Sequence, residues 1–253
     1  MSQLFTLRLA TETLSADAEQ IGVCIEELQN IRISVKASLV LSERKLWLSY
    51  QIHLPSAMLA AKLDWPVWQQ SRVCFTDYLW QRTCLECFVS SKVADETTNY
   101  IEINASPNGQ YALYKFDDYR TPSTYPPLPL SQADGTTKAK ITWAKSLSNQ
   151  QVEQVNSLKP HPILANHSVD LSSTRFTSKY QYQRCFGVSL DQLSLDSDNC
   201  YLSDDTGIKL IHPCVILQFC ETNLYFASAH ATPPDFHQRR YWTPLDLQAA
   251  LTK

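Results

Sequence analysis

The sequence predicts an all-β protein, an antiparallel two-layer β-sandwich of jelly-roll type with few short helices. Three observations point there. About ten short runs alternate apolar and polar residues with period two, as strands with one buried face do. These runs follow one another across turns and loops rather than alternating with long helices, which favours antiparallel pairing over βαβ units. Across all 253 residues there is no internal repeat, low-complexity run or shift of composition, so residues 1–253 read as a single domain.

In chain order, residues Leu14–Gln29 have helical spacing at Ile21, Ile25 and Leu28, with Ser15 or Asp17 as the expected cap. Ile31–Leu41 and Lys45–Leu54 then alternate cleanly around the polar Ser42-Glu43-Arg44, which predicts a hairpin with one face in the core. Pro55–Trp80 is a connection rich in aromatics, and Pro66 discourages helix at Trp65. Thr121–Gly135, with Pro122, Pro126, Pro127 and Pro129, reads as an ordered loop lying over the sheet. Later strands are expected at Lys138–Trp143, Val169–Phe176 and Tyr180–Leu190, with a short helix or turn at Gln150–Leu158. Pro213 separates apolar Ile208–Ile211 from Cys214–Phe219, and Glu221-Thr222-Asn223 is expected to turn the chain into Leu224–Ala229.

The most informative stretch is Leu79–Arg120. In Thr83–Val89, Leu85, Cys87 and Val89 share one face, and Cys84, Glu86 and Phe88 the other. In Tyr100–Ala105, Ile101 and Ile103 oppose Tyr100, Glu102 and Asn104. Tyr111–Phe116 alternates as well, and Ser106-Pro107-Asn108-Gly109 suits a type I turn between the last two runs. An antiparallel meander with half-buried strands follows, carrying Glu86 and Glu102 on the same face. Ionised carboxylates so placed repel unless a cation or a hydrogen-bonding ligand lies between them. One reading is a polar binding site on the open face of the sheet; the other is a structural network with Arg82, Lys115 or Arg120.

Composition narrows the function. Hydrophobic content of 44% and charged content of 19% are those of an ordinary soluble globular protein. A net charge of −3 without any basic tract gives no electrostatic case for nucleic acid or an anionic membrane. No run of apolar residues is long enough to span a bilayer, and the N-terminus has no secretory pattern, so a cytoplasmic location is expected. With five glycines, a glycine-rich phosphate loop is not expected. The eight cysteines read as buried free thiols. Cys84-x-x-Cys87 has no second half-site, and positions three apart in a strand face opposite ways, so no metal is expected.

The tail carries a second constellation, His230, Asp235 and His237. Two imidazoles and a carboxylate within eight residues suit acid–base or ligand-contacting roles, and a turn at Pro233-Pro234 is expected to bring His230 back toward Asp235. Nucleophile, zincin, Walker and Rossmann motifs are all missing. Trp80, Phe88, Tyr100 and Tyr119 lie near the carboxylates in sequence, and aromatic planes of this kind suit the C–H faces of sugar rings.

Thr83-Cys84-Leu85-Glu86-Cys87-Phe88 resembles the Ser/Thr-Cys-x-Glu-x-Phe strand of family-nine carbohydrate-binding modules, and Tyr100–Gly109 the Tyr-x-x-Glu-x-Asn strand and turn that follow it there. Leu79–Phe88, Glu102–Arg120 and Pro234–His237 together are closer still to a bacterial branch of DOMON-like proteins. The resemblance implies a β-sandwich with an aromatic pocket beside a strand carboxylate. It places Trp80 where such modules have a stacking tryptophan and Glu86 where they have a sugar-contacting acid. Haem, which some DOMON domains hold through Met and His, is not expected, since Met58 lies outside the motifs. The expected function is therefore a non-enzymatic binding domain for a saccharide or sugar derivative, with no cofactor. Its expected ligand-binding residues are Trp80, Glu86, Glu102, Asn104, Tyr119, Arg120, His230, Asp235 and His237. The alternatives are a hydrolase that uses Glu86 and Glu102 with the His230/Asp235/His237 cluster, and a structural interaction module without a small ligand.

Overall fold

The computed structural model describes residues 2–91, 99–144, 180–193 and 207–252. The expected strand at Val169–Phe176, the expected helix at Gln150–Leu158 and Cys200 lie outside the described residues. Twelve strands are β1 (Gln3–Leu9), β2 (Arg32–Val40), β3 (Lys45–Leu54), β4 (Cys84–Ser90), β5 (Tyr100–Ala105), β6 (Tyr111–Phe116), β7 (Ile141–Trp143), β8 (Tyr180–Ser189), β9 (Leu210–Phe219), β10 (Thr222–Ala227), β11 (Thr243–Pro244) and β12 (Leu251–Thr252). Five short helices accompany them: α1 (Leu14–Ile21), α2 (Ile25–Gln29), α3 (Ala57–Lys62), α4 (Leu190–Leu193) and α5 (Leu247–Ala250). The protein is all-β.

The strands form one sheet in the order β6-β5-β4-β9-β10-β1-β2-β3-β8-β7, with β11 on β9 and β12 on β2. All pairings are antiparallel except the short β12–β2 pair. The sheet is curled until it nearly closes into a barrel. The Tyr50 hydroxyl on β3 donates to the Glu86 carbonyl on β4 at 2.6 Å, so these strands face each other across the core. The Trp143 indole on β7 donates to the Gly109 carbonyl at the β5–β6 turn, which draws the two ends of the strand order together.

The seam is β1. Its residues Gln3–Leu7 pair with β2, whereas Arg8 and Leu9 pair with β10. Phe5 and Leu7 point into the core and anchor this strand, whose two-residue alternation is visible in the sequence although no strand was expected there. The predicted β2–β3 hairpin forms, closed by a 3₁₀ turn at Leu41–Glu43 and a left-handed Arg44. The expected helix over Leu14–Gln29 is broken in two, because Gly22 adopts φ 74° and ends α1. Thr13, not Ser15 or Asp17, occupies its N-cap position.

Pro213 does not divide two strands; it lies within β9, opposite Cys87 of β4. On the other side of β9, the β10 ladder ends at Cys214 and the β11 ladder begins at Ile211. Proline falls in the gap between them, where the missing N–H disrupts neither ladder. The following turn is at Cys220-Glu221 rather than Glu221–Asn223, since Phe219 already pairs with Thr222.

The meander β4-β5-β6 sits as the alternation predicts, with one difference: its strands are buried on both faces. Leu85, Cys87, Val89, Ile101, Ile103 and Leu113 point into the main core. Cys84, Phe88, Tyr100, Ala112, Tyr114 and Phe116 belong to a second apolar cluster on the outer face, with Phe236 and Trp242. Residues 230–242 and the proline-rich loop cover that face, which a reading of the strands alone leaves open to solvent. No helix is long and apolar enough to cross a membrane among the described residues.

Candidate functional site

Between the outer face of β4-β5 and its cover lies a cavity of about 280 Å³. Glu86, Phe88 and Glu102 form its floor, Trp80 and Phe116 its flanks, and Arg120, Pro122, Tyr125, Asp235 and His237 part of its cover. Antiparallel register decides how the carboxyls meet. Glu86 lies opposite Asn104, and Glu102 lies opposite Phe88. The two glutamates are therefore diagonal neighbours, roughly 7–8 Å apart at the backbone, rather than a directly opposed pair.

Their surroundings differ. Glu102 is 4% exposed and accepts a 2.6 Å hydrogen bond from the Asn104 amide. Its other oxygen is 3.7 Å from His237 Nε2. Glu86 is 2% exposed, and its Oε1 has no hydrogen-bond partner; nor has Asn104 Oδ1. Burial raises both carboxyls, that of Glu86 well above its ordinary range with added repulsion from Glu102, and that of Glu102 to about 7. Near neutral pH Glu102 therefore sits close to its midpoint.

Tyr100 organises the other wall. Its hydroxyl accepts the Arg120 backbone N–H at 3.1 Å and lies 2.8 Å from His237 Nδ1. In the tautomer with the imidazole proton on Nε2, facing Glu102, the phenol donates to Nδ1 while accepting from Arg120. Burial, with the nearby Arg120 charge, lowers His237 to about 3, so the ring is neutral and the His237–Glu102 approach is not an ion pair.

Arg120 is engaged by Asp235 rather than hydrogen-bonded to the glutamates, although its charge acts on both. Its guanidinium binds Asp235 at 2.8 Å, and the Tyr119 hydroxyl donates to the second Asp235 oxygen at 2.5 Å. Asp235 also accepts the His237 backbone N–H. Burial alone works against ionising Asp235, but the bonds from Tyr119 and Arg120 and the Arg120 charge outweigh it and hold the carboxyl below its usual range. Arg120 has φ 47°, a left-handed backbone that is uncommon for a side chain of this size; this turn points its N–H at Tyr100.

Of the residues singled out in the sequence, Trp80, Glu86, Glu102, Arg120, Asp235 and His237 line this one cavity. Asn104 and Tyr119 stand behind Glu102 and Asp235 as hydrogen-bonding partners. His230 is elsewhere. Its Nε2 meets the Arg8 carbonyl at 2.7 Å, so the Pro233-Pro234 turn does not return it to Asp235. Arg82 and Lys115 do not line the cavity, and Lys115 reaches Asp117 instead. Sequence reasoning did not select Tyr100 as a site residue, although it stands two positions before Glu102 on the same strand face. It also left out Phe116, Tyr125, Tyr225 and Phe236, which only the folding of distant segments brings to the rim.

Cys84 and Cys87 point to opposite sides of β4, in the outer cluster and the main core respectively. No group of three His, Cys, Asp or Glu side chains is placed to hold a metal ion among the described residues. The arrangement offers hydrogen-bond acceptors and two buried carboxyls within aromatic walls, which suits binding of a small polar molecule with an apolar face. No family model matches the chain, and neither a curated protein nor a solved structure matches it.

Proposed function

We propose that the protein is a non-enzymatic binding domain for a saccharide or sugar derivative, with the site on the outer face of β4-β5. The observation that carries this reading is the buried Glu86 carboxyl, one oxygen of which (Oε1) is unpartnered, on the floor of an aromatic-walled cavity. Folding leaves that oxygen without a hydrogen bond, at a cost of about 1–3 kcal/mol, which a ligand hydroxyl or amine recovers. The cavity, about 280 Å³, is near the lower end of small-molecule sites at roughly 300–1,000 Å³. Trp80 supplies a plane for a ring face, held edge-on by Tyr114 at 5.7 Å. The motif resemblance to family-nine carbohydrate-binding modules and DOMON-like proteins supports the same assignment, and with it a sandwich of jelly-roll type.

Calorimetric titration with mono- and disaccharides, together with a glycan array, tests the proposal. Binding that weakens at least about tenfold in Trp80→Ala supports it. Silence across both panels in the wild-type protein refutes it.

A hydrolytic reading has one feature in its favour, two carboxyls, Glu86 and Glu102, that burial raises side by side. The wider His230/Asp235/His237 cluster that this reading invoked does not assemble, because His230 is engaged by β1. Turnover of aryl glycosides that disappears in Glu102→Gln would establish hydrolysis in place of simple binding.

A further inference from the structure

We infer that the cavity selects a saccharide bearing a protonated amino group, so that the ammonium sits between Glu86 and Glu102. The inference rests on the saccharide reading and deepens it. Three features of the cavity favour a cation over a neutral hydroxyl.

The first is charge balance. The lining holds three carboxyls, Glu86, Glu102 and Asp235, against a single guanidinium, Arg120, and that guanidinium is committed to Asp235. Among the described residues, no Lys or Arg side chain is bonded to either glutamate. The second is hydrogen-bond valence. Glu86 Oε1, on the cavity floor, is an acceptor without a donor, and the Glu102 oxygen not bonded to Asn104 meets only His237, at 3.7 Å. An ammonium brings three donors and no acceptor, whereas a hydroxyl brings one donor and lone pairs that find few donors on this floor. The third is the wall. Phe88 and Trp80 present aromatic faces and exclude water, which strengthens attraction between a cation and the carboxylates.

Binding then displaces a proton. The groups facing Glu86 are Glu102 on β5, Cys84 on its own strand, Cys214 on β9, Tyr50 across the core and Arg120 from the loop. Those facing Glu102 are Tyr100, Tyr114, His237, Asn104 and Arg120. Burial raises the phenols of Tyr50, Tyr100 and Tyr114 and the thiols of Cys84 and Cys214, and it keeps His237 neutral. Among these groups Glu102 is left to titrate near neutrality, with the raised Glu86 carboxyl beside it. An arriving ammonium favours their ionised forms, and the proton leaves to the buffer.

The experiment is calorimetric titration of the full chain with D-glucosamine, D-glucose, N-acetyl-D-glucosamine and cyclohexylamine near pH 7, in phosphate and in Tris. Expected are binding of glucosamine at least about tenfold tighter than glucose or the N-acetyl sugar, and an enthalpy difference between the buffers that reports release of up to about one proton. Affinity for glucosamine rises from about pH 5.5 to 7 as the carboxyls ionise. In Glu86→Gln the ratio of glucosamine to glucose affinity collapses toward one; because glucose is the internal standard, a general loss of folding does not imitate this change.

Equal affinity for glucose and glucosamine, or glucosamine binding without proton release, overturns the inference while leaving the saccharide reading in place. Cyclohexylamine binding as tightly as glucosamine overturns the amino-sugar assignment and the saccharide reading together, leaving a bare cation site. Silence of all four probes overturns both.

Discussion

The two faces of β4 and β5 are equally buried and chemically opposite. Inward, Leu85, Cys87, Val89, Ile101 and Ile103 are at most 1% exposed and belong to the main apolar cluster. Outward, Glu86, Glu102 and Asn104 are at most 4% exposed among aromatic rings. The inner face stabilises the fold by removing apolar area from water, at roughly 25 cal/mol per Å². The outer face desolvates two carboxyls, and the raised Glu86 and Glu102 values record that cost. A sheet needing only to be covered would be served by apolar residues on both sides. Ionisable groups placed there at a cost in stability are the reason the proposed site lies on this face.

Truncation on the inner face produces the largest effect. Ile103→Ala removes a fully buried side chain from the main core and is expected to cost about 2–5 kcal/mol in urea unfolding. On the outer face, the isosteric Glu102→Gln acts with the opposite sign. A carboxyl raised from 4.5 to about 7 is tolerated without penalty below its unfolded value, and stability is lost as pH rises through the folded value. The wild-type protein should therefore lose stability from about pH 4.5 to beyond 7, and Glu102→Gln should flatten this slope by up to about 3 kcal/mol. Parallel pH–stability curves for the two proteins would show that the outer face carries no such cost.

The inner face was legible in the sequence and the outer face was legible only in part. Strict alternation and the Ser106–Gly109 turn place β5 and β6 correctly, because register there is local: the Gly109 N–H bonds back to Ser106. Glu86 and Glu102 were visible as misplaced charges. Their diagonal arrangement was not, because it depends on which residue of β5 meets which residue of β4. The cover was equally hidden. Nothing near Phe236 or Trp242 in sequence says that they pack on Phe88 and Tyr100, more than 100 positions earlier. His230 was misplaced for the same reason, as the Arg8 carbonyl that holds it belongs to β1, at the other end of the chain. Pro213 misled because its proline penalty was charged to a central strand, when one side of β9 is locally unpaired.

The smallest effects separate the floor of the cavity from its cover, through two tyrosines. Tyr100 is fully buried, and its hydroxyl serves both the Arg120 N–H and His237 Nδ1. Tyr100→Phe leaves two part-buried groups without their partner and is expected to cost about 1–3 kcal/mol. Tyr119 is 47% exposed and shares Asp235 with Arg120. Tyr119→Phe leaves Asp235 its guanidinium, so water and Arg120 take up the released oxygen and the loss is about 0.5 kcal/mol. Its signature lies in the acid limb. The depressed Asp235 carboxyl contributes stability that is present above its unfolded value and lost as pH falls through the folded one, and Tyr119 is a cause of that depression. Removing the hydroxyl raises Asp235 toward its ordinary range, so the variant and the wild type should converge at low pH and differ most near neutrality. If Tyr119→Phe costs as much as Tyr100→Phe at neutral pH, then the cover is as integral to folding as the sheet beneath it, and the division between a stabilising face and a binding face does not extend to the segments that enclose the cavity.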